Sequence, residues 1–445
     1  MTSVAVSING KYYRRRGIRG LPEPTYVRDI VGSLQRYSEK RTPLSRGYVP
    51  PGGWDEDLLA TLVPNIGQFG PVPRNQPGYT QVDVALRIAG FHLAVVTACH
   101  TGHWTRPRIS EQLGCLYDWD GMWGPDFMGL PWKPEKMPVE DPAAMSEIIK
   151  DAALFLGASL VGITRINRNW VYQPGWDRYG HHEIDLEAMI PPSVENAVVM
   201  AIETNHDYVR HAPTARASAA AGLGYSKMAM VGSSVAKFIG ALGYKAIACG
   251  NDTALSVPLA VDAGLGQLGR LGALITPEFG PRVRLLKVLT DLPLQPTAPI
   301  DFGVTEFCEA CEKCAEYCPS QAIWYGKRTA EARTVSTNTG VLKWPLHGER
   351  CLRYWYRNGA RTDRGMYHID CYQCINVCPF NKKAGIGHDL VRWTIRNVPV
   401  LNRVIKSLDD LFYKPIYTTG KHRKRPLSVE SPTQFVEAED PLSDG

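Results

Sequence analysis

Eight of the eleven cysteines in this 445-residue sequence crowd between positions 308 and 378, a clustering that in a large chain points to metal rather than disulfides. The first run reads Cys308-x-x-Cys311-x-x-Cys314-x-x-x-Cys318-Pro319. Three thiolates on one tight turn can reach three irons of one cube; the fourth, leading into a helix and followed by proline, points away and serves a second cube. The second run is Cys371-x-x-Cys374-x-x-x-Cys378-Pro379, with Cys351 upstream of it. Exchanging the fourth cysteines gives two complete sets. Cys308, Cys311, Cys314 and Cys378 would hold one [4Fe–4S] cluster, and Cys318, Cys351, Cys371 and Cys374 the other. Zinc ribbons use paired CxxC hooks and have no need of the longer run. The chemistry this implies is one-electron transfer.

The remaining cysteines, Cys99, Cys115 and Cys249, stand apart and read as small buried hydrophobes. His100 and His103 flank Cys99 but have no second pair at ligand spacing, so they form no metal hook.

A two-cluster bacterial ferredoxin-like module, expected over 301–390, needs far fewer residues than the chain has. The residues ahead of it should therefore hold the site that receives the electrons. Apolar residues at helical spacing predict helices over Met145–Leu156, ended by Gly157, and over Ala215–Leu242, ended by Gly243. A third helix is expected over Val82–Ala98. Short apolar runs at Ser159–Thr164, Ala197–Ile202, Lys245–Cys249 and Val283–Leu289 read as strands. Helices alternating with buried strands indicate an α/β (α+β) core over 141–300. An irregular unit rich in Pro, Gly and Trp is expected over 1–140, and a C-terminal extension with a polar tail over 391–445.

Composition narrows the function classes. At 44% hydrophobic and 21% charged residues the chain is ordinary globular material. Its formal charge of +6 is mild, and the two basic clusters, Lys11–Arg19 and Lys421–Arg425, lack interleaved aromatics, so a nucleic-acid partner is not expected. No apolar run reaches the length of a membrane span. Arg14-Arg15-Arg16 resembles a twin-arginine export signal, but no apolar stretch follows it. The expectation is either a mature or truncated form, or a cytoplasmic protein.

Gly264-Leu265-Gly266-Gln267-Leu268-Gly269 matches the dinucleotide-binding pattern. That pattern needs a strand before it and a helix after it, and Gly272 and Pro277 follow too soon for a long helix. The better reading is a glycine-lined backbone that lets a cofactor edge approach.

Several segments resemble one family. They are Gly224-Tyr225-Ser226, Gly250-Asn251-Asp252-Thr253-Ala254-Leu255-Ser256-Val257-Pro258, Ala263-Gly264-Leu265-Gly266, Ile275-Thr276-Pro277-Glu278-Phe279-Gly280-Pro281-Arg282-Val283-Arg284, Lys343-Trp344 and Cys351-Leu352-Arg353-Tyr354-Trp355. In order and spacing, with the cysteine runs, they are similar to the reductive dehalogenases over about 145–385. The resemblance implies a nitroreductase-like core holding a base-off corrinoid, with the clusters relaying electrons to it and halide removed from an organohalide. The sequence lacks the Asp-x-His-x-x-Gly motif that supplies a lower histidine ligand in many cobalamin enzymes, in keeping with base-off binding.

The resemblance also assigns roles. Tyr225 would be the proton donor. An ordinary tyrosine, with a pKa near 10, is a reluctant acid, and a guanidinium beside it would stabilise the phenolate. Arg284 is the favoured guanidinium and Arg282 the fallback; both point the same way along a strand, so alternation does not separate them. Asn251 would line the halogen side, Trp355 would form a pocket wall, and Gly264 and Gly266 would border the corrinoid. Without the resemblance these are ordinary features: a buried tyrosine, a surface arginine, a turn asparagine, a core tryptophan. The implied partners are an organohalide, a low-potential electron donor, a small membrane-anchor subunit and a second copy of the chain. The implied location is the outer face of the cytoplasmic membrane.

Two other readings share the cysteine plan. An epoxyqueuosine-reductase type would act on a tRNA base with an aspartate as donor; Gly-Tyr-Ser, Lys-Trp and the lack of a basic aromatic face argue against it. A non-catalytic electron carrier would leave the first 300 residues without a task.

Overall fold

Short apolar runs build the centre of the molecule. The computed structural model describes residues 3–47, 53–96, 126–127, 130–131, 135–177, 181–362, 365–383 and 385–417. Strands β1 (Ala5–Ile8) and β2 (Lys11–Arg14) come first, then helix α1 (Gln81–Val96). The core follows as α2 (Pro142–Phe155), β3 (Leu160–Arg165), β4 (Asn196–Glu203), α3 (Ala215–Ala241), β5 (Ala246–Cys249), α4 (Ser256–Asp262) and β6 (Val283–Thr290). Gly157 and Gly243 follow α2 and α3 closely, each in the left-handed backbone region that glycine adopts without strain.

The six strands form one sheet in the order β2-β1-β3-β4-β6-β5, with every neighbouring pair antiparallel. Helices alternate with strands along the sequence, yet no adjacent pair is parallel. The reason is that α3 carries the chain from β4 to β5 across one strand position, and β6 returns to fill that position in the opposite direction.

Both faces of strands β3 to β6 are largely buried, so period-two alternation sorts their side chains into two cores rather than into core and solvent. Val199, Ala201, Leu285 and Cys249 face α4, while Met200, Ile202, Leu286 and Ala248 face α2 and α3. Leu286 has no solvent exposure; truncating such a side chain to alanine costs about 2–5 kcal/mol.

Described residues near the start of the chain join this core. Ala5 and Val6 pair with Val161 and Leu160, placing β1 and β2 on the edge of the core sheet. Arg14 pairs with Glu147 and Asp151 on α2, and the buried Arg15 forks onto Glu278 at 2.7 and 2.8 Å. These arginines lock the edge hairpin to the core. Helix α1 lies along α3, because Gly90 and Gly222 let the two come close.

Beyond the sheet run α5 (Val304–Cys311), α6 (Gly348–Arg357), α7 (Gln373–Asn376), α8 (Ile386–Asn397) and α9 (Asn402–Phe412). Helix α9 packs on α5, and the buried Lys313 just after α5 pairs with Asp409. Among the described residues no helix is long and apolar enough to cross a membrane.

Candidate active site and cysteine centres

The cysteine runs fold as two copies of one hook. Cys308 and Cys311 lie on α5, Cys314 on the short helix Lys313–Glu316 after it, and Cys318 beyond that helix. Cys351 lies on α6, Cys371 just ahead of α7, Cys374 on α7 and Cys378 beyond it. Aligning the runs by spacing sets Cys311 against Cys371, and the residue after each, Glu312 and Tyr372, has positive φ, 51° and 59°. A non-glycine residue in this region is uncommon, and its repetition at matching positions marks a turn shaped to fan thiolates round one centre.

One pocket is lined by Cys308, Cys311, Cys314 and Cys378 together, with Arg270, Phe307 and Phe380 among its walls. Cys318 and Cys374 lie near enough to Cys351 to raise its thiol further, and Cys351, Cys318 and Cys374 do the same to Cys371. This neighbourhood is the one a crossed grouping needs, in which each hook lends its last cysteine to the other. Burial pushes the Cys308 thiol up to about 11 and those of Cys311 and Cys374 to about 12. Such a cluster of buried thiols suits a cationic centre that holds them as thiolates. Among the described residues no three thiol, imidazole or carboxylate groups converge closely enough for a single metal ion.

The second centre of chemistry sits where α3, β6 and the loop after β5 meet. The Tyr225 hydroxyl accepts from Asn251 Nδ2 and from Arg284 Nη1, each at 3.0 Å. The Gly-Tyr-Ser segment is explained residue by residue. A Cβ on Gly224 would lie 2.9 Å from Arg284 Cγ, so the glycine makes room for the arginine stem. Ser226 Oγ donates to Gly90 O over 2.7 Å and accepts from the Ala94 amide, tying α1 to α3 beside the tyrosine. Phe91 of α1 then stacks on Tyr225 with ring centres 6.1 Å apart.

Arg284 and Arg282 have different tasks. Arg282 is buried just ahead of β6, paired with Glu203 and donating to Thr204 O at 3.1 Å, which joins β4 to β6. Arg284 alone of the two reaches Tyr225. Burial disfavours its charge, but Tyr225, Tyr372 and Asp370 outweigh that and keep the guanidinium firmly protonated. Tyr372, whose ring lies 5.2 Å from the Arg284 guanidinium, belongs to the second cysteine hook. Asp370, immediately before Cys371, accepts from Ser218 Oγ on α3 at 2.8 Å. The hydroxyl site and the second cysteine centre are thus joined through side chains two residues apart.

Trp355, on α6, stacks on His368 at 5.5 Å, and Arg87 donates to His368 O while covering the Phe91 ring. Phe91, Arg87 and His368 thus connect the tryptophan to Tyr225 by a chain of contacts. Among the described residues no hydrogen-bond partner meets the buried Trp355 Nε1 or Arg284 Nε. Two such donors suit a ligand rimmed with amide oxygens, as a corrin macrocycle is.

Gly264 and Gly266 lie elsewhere. A Cβ on Gly264 would come 2.2 Å from Ala298 O, and one on Gly266 2.0 Å from Ile275 O. Their bareness serves the chain's own close packing. The segment follows helix α4 and enters a two-residue strand, so the strand-then-helix context of a dinucleotide fold is absent. Cys249 is fully buried, its thiol donating to Ile247 O, with burial pushing its pKa up to about 12. Cys99, Cys115, His100 and His103 lie outside the described residues.

Sequence reasoning missed Tyr372, Asp370, Phe91 and Lys287. Only Lys287 carried a signal, a lone lysine in the apolar run Leu285-Leu286-Lys287-Val288-Leu289.

Comparison with known proteins finds relatives over most of the chain. A 4Fe-4S dicluster domain model matches residues 307–382. The tetrachloroethene reductive dehalogenase of Sulfurospirillum multivorans is 40% identical over 436 residues, covering 87% of this chain and 80% of that protein. That of Dehalobacter restrictus is 35% identical over 415 residues, covering 81% and 73%. Among solved structures, a variant of the catabolic reductive dehalogenase NpRdhA aligns with a TM-score of 0.60 at 21% identity. It shares the fold, and the chain spans 48% of its length while 88% of this chain is matched.

Proposed function

The chain belongs to the reductive dehalogenase family, and we propose that it removes halide from a small chlorinated alkene with Tyr225 as the proton donor. Tetrachloroethene, the substrate named for both relatives, is the first candidate. The observation that carries the reading is the Tyr225 hydroxyl held by two donors, Asn251 and Arg284.

The reaction replaces a carbon–halogen bond by a carbon–hydrogen bond. It takes up two electrons and one proton and releases one halide ion. Enzymes of this family carry a corrinoid and iron–sulfur clusters, which supply the two electrons when bound. Cys308, Cys311, Cys314 and Cys378 would hold one cluster and Cys318, Cys351, Cys371 and Cys374 the other. Trp355 Nε1 and Arg284 Nε are the donors suited to the corrinoid rim.

The proton is the task of this chain's own residues. Both Asn251 and Arg284 donate to the Tyr225 oxygen, so the O–H of Tyr225 is directed away from both of them. Both donors bind more strongly as negative charge grows on that oxygen, which lowers the barrier to releasing the proton. Arg284 contributes a fixed positive charge as well as a hydrogen bond. Tyr372 and Asp370 hold that charge in place from the cysteine hook, and Phe91 covers one side of the Tyr225 ring. Trp355 would form a wall of the pocket.

The test is chloride release from tetrachloroethene by protein loaded with both kinds of cofactor, with a reduced viologen as the low-potential donor. A panel of chlorinated and brominated alkenes, alkanes and aromatics then ranks substrates. Absence of halide from every member, with clusters and corrinoid both present, refutes the reading.

A further inference from the structure

Lys287 is the one lysine of strand β6, and it has no solvent exposure. Lysine is almost never fully buried unless paired. Among the described residues no carboxylate pairs with it. Its three N–H donors are met by three main-chain carbonyls, Gly250 O and Asp252 O at 2.7 Å and Ala254 O at 2.9 Å, with Ser256 Oγ at 3.1 Å. Two of these carbonyls come from the residues on either side of Asn251.

We propose that Lys287 is the positioning residue for Asn251, fixing the loop from which Asn251 reaches the Tyr225 hydroxyl. Lys287 and Arg284 are three apart in one strand and so face opposite sides of the sheet. Arg284 meets Tyr225 directly. Lys287 acts from the far side, on the turn that carries Asn251 round the end of β5. The turn is otherwise costly to hold. Thr253 has a φ of 71° and is fully buried, and Asp252 spends its carboxylate on the Gly250 amide and the Thr253 hydroxyl, each at 2.8 Å. Three carbonyls drawn onto one ammonium set the turn's shape, and the Asn251 side chain inherits it. Oriented donors lose their effect when displaced by about 1 Å.

This inference rests on the role given to Asn251 and Tyr225 above. The test is a double-mutant cycle on the fully loaded enzyme, with tetrachloroethene and reduced viologen, reading kcat and KM separately. Asn251→Ala is expected to lower kcat at least tenfold. Lys287→Met is expected to lower kcat at least fivefold with KM changed less than threefold, and to add less than twofold in the Asn251→Ala background. A Lys287→Met loss that multiplies with that of Asn251→Ala overturns the proposal, as does wild-type kcat in Lys287→Met. Should Lys287→Met fail to fold, Lys287→Arg decides, since it keeps the charge but presents a planar fork to carbonyls arranged round a tetrahedral ammonium. It is expected to lower kcat at least threefold at an unchanged denaturation midpoint; wild-type kcat overturns the proposal. If Asn251→Ala itself keeps full turnover, the reading of the hydroxyl site fails, and this inference with it.

Discussion

Gly224 and Arg284 occupy one space between them: the aliphatic stem of Arg284 lies where a side chain at 224 would be, 2.9 Å from the position of its Cβ. The tyrosine that follows the glycine on α3 is thereby brought within 3.0 Å of the guanidinium that the glycine admits. Motif and arginine are two halves of one fit.

Gly224→Ala tests that fit. In a helix interior this exchange ordinarily stabilises by about 0.5–1 kcal/mol. Here it should displace Arg284 and lower kcat by roughly tenfold, as a misplacement near the reacting group does, with little change in thermal midpoint. Full activity in Gly224→Ala would show that Arg284 does not need its observed place.

Arg284→Lys keeps the charge and loses the planar fork that reaches Tyr225 while facing Tyr372. Loss of one oriented donor to a developing oxyanion costs on the order of 10²-fold in kcat. Steady-state kinetics with corrinoid and iron content matched to wild type measures it. A loss below threefold contradicts the role.

The crossed ligand sets make a prediction that the uncrossed ones do not. Cys378→Ala should remove the same cluster as Cys308→Ala, although the two positions belong to different hooks, and Cys318→Ala should remove the other. Electron paramagnetic resonance of the reduced variants distinguishes the two clusters. Loss of the Cys371 and Cys374 cluster in Cys378→Ala would break the assignment.

Asp262, at the end of α4, gives the stability a pH dependence. Burial pushes its carboxyl from 3.8 up to about 7, against the hydrogen bond donated by Tyr26 at 2.6 Å. The folded state thus holds a proton that the unfolded chain has released. Its contribution is fully present below the unfolded value and is lost as pH rises through about 7. Urea midpoints should fall between roughly pH 4 and pH 8, and Asp262→Asn should flatten that fall by up to about 4 kcal/mol. An unchanged slope in the variant would assign it to other groups.

Much of this arrangement is legible in the residues, and the limits have physical causes. The helices at Pro142–Phe155 and Ala215–Ala241 and the strands between them follow from periodicity and glycine stops, because local pattern and burial agree there. The antiparallel sheet does not follow, since the order of β4, β6 and β5 depends on which strand fills a gap left by a crossover. Arg282 and Arg284 stand two residues apart, so alternation in the sequence does not separate them, and only the observed partners, Glu203 for one and Tyr225 for the other, tell them apart. Tyr372 and Asp370 escaped notice because residues beside cysteine ligands read as part of the hook. Phe91 escaped because α1 gave no sign that it would lie on α3. Gly264 and Gly266 suggested a cofactor edge, whereas they are bare to admit the carbonyls of Ala298 and Ile275. A pattern shows that something comes close, and only the fold shows what.

The most direct test of the account is Tyr225→Phe, compared with wild type for chloride release from tetrachloroethene under reduced viologen, both proteins carrying equal corrinoid and iron. Removal of one hydroxyl should lower kcat by at least about 10²-fold, the least a positioned general acid contributes, with both cofactors still bound. Chloride release within threefold of wild type would contradict Tyr225 as the proton donor.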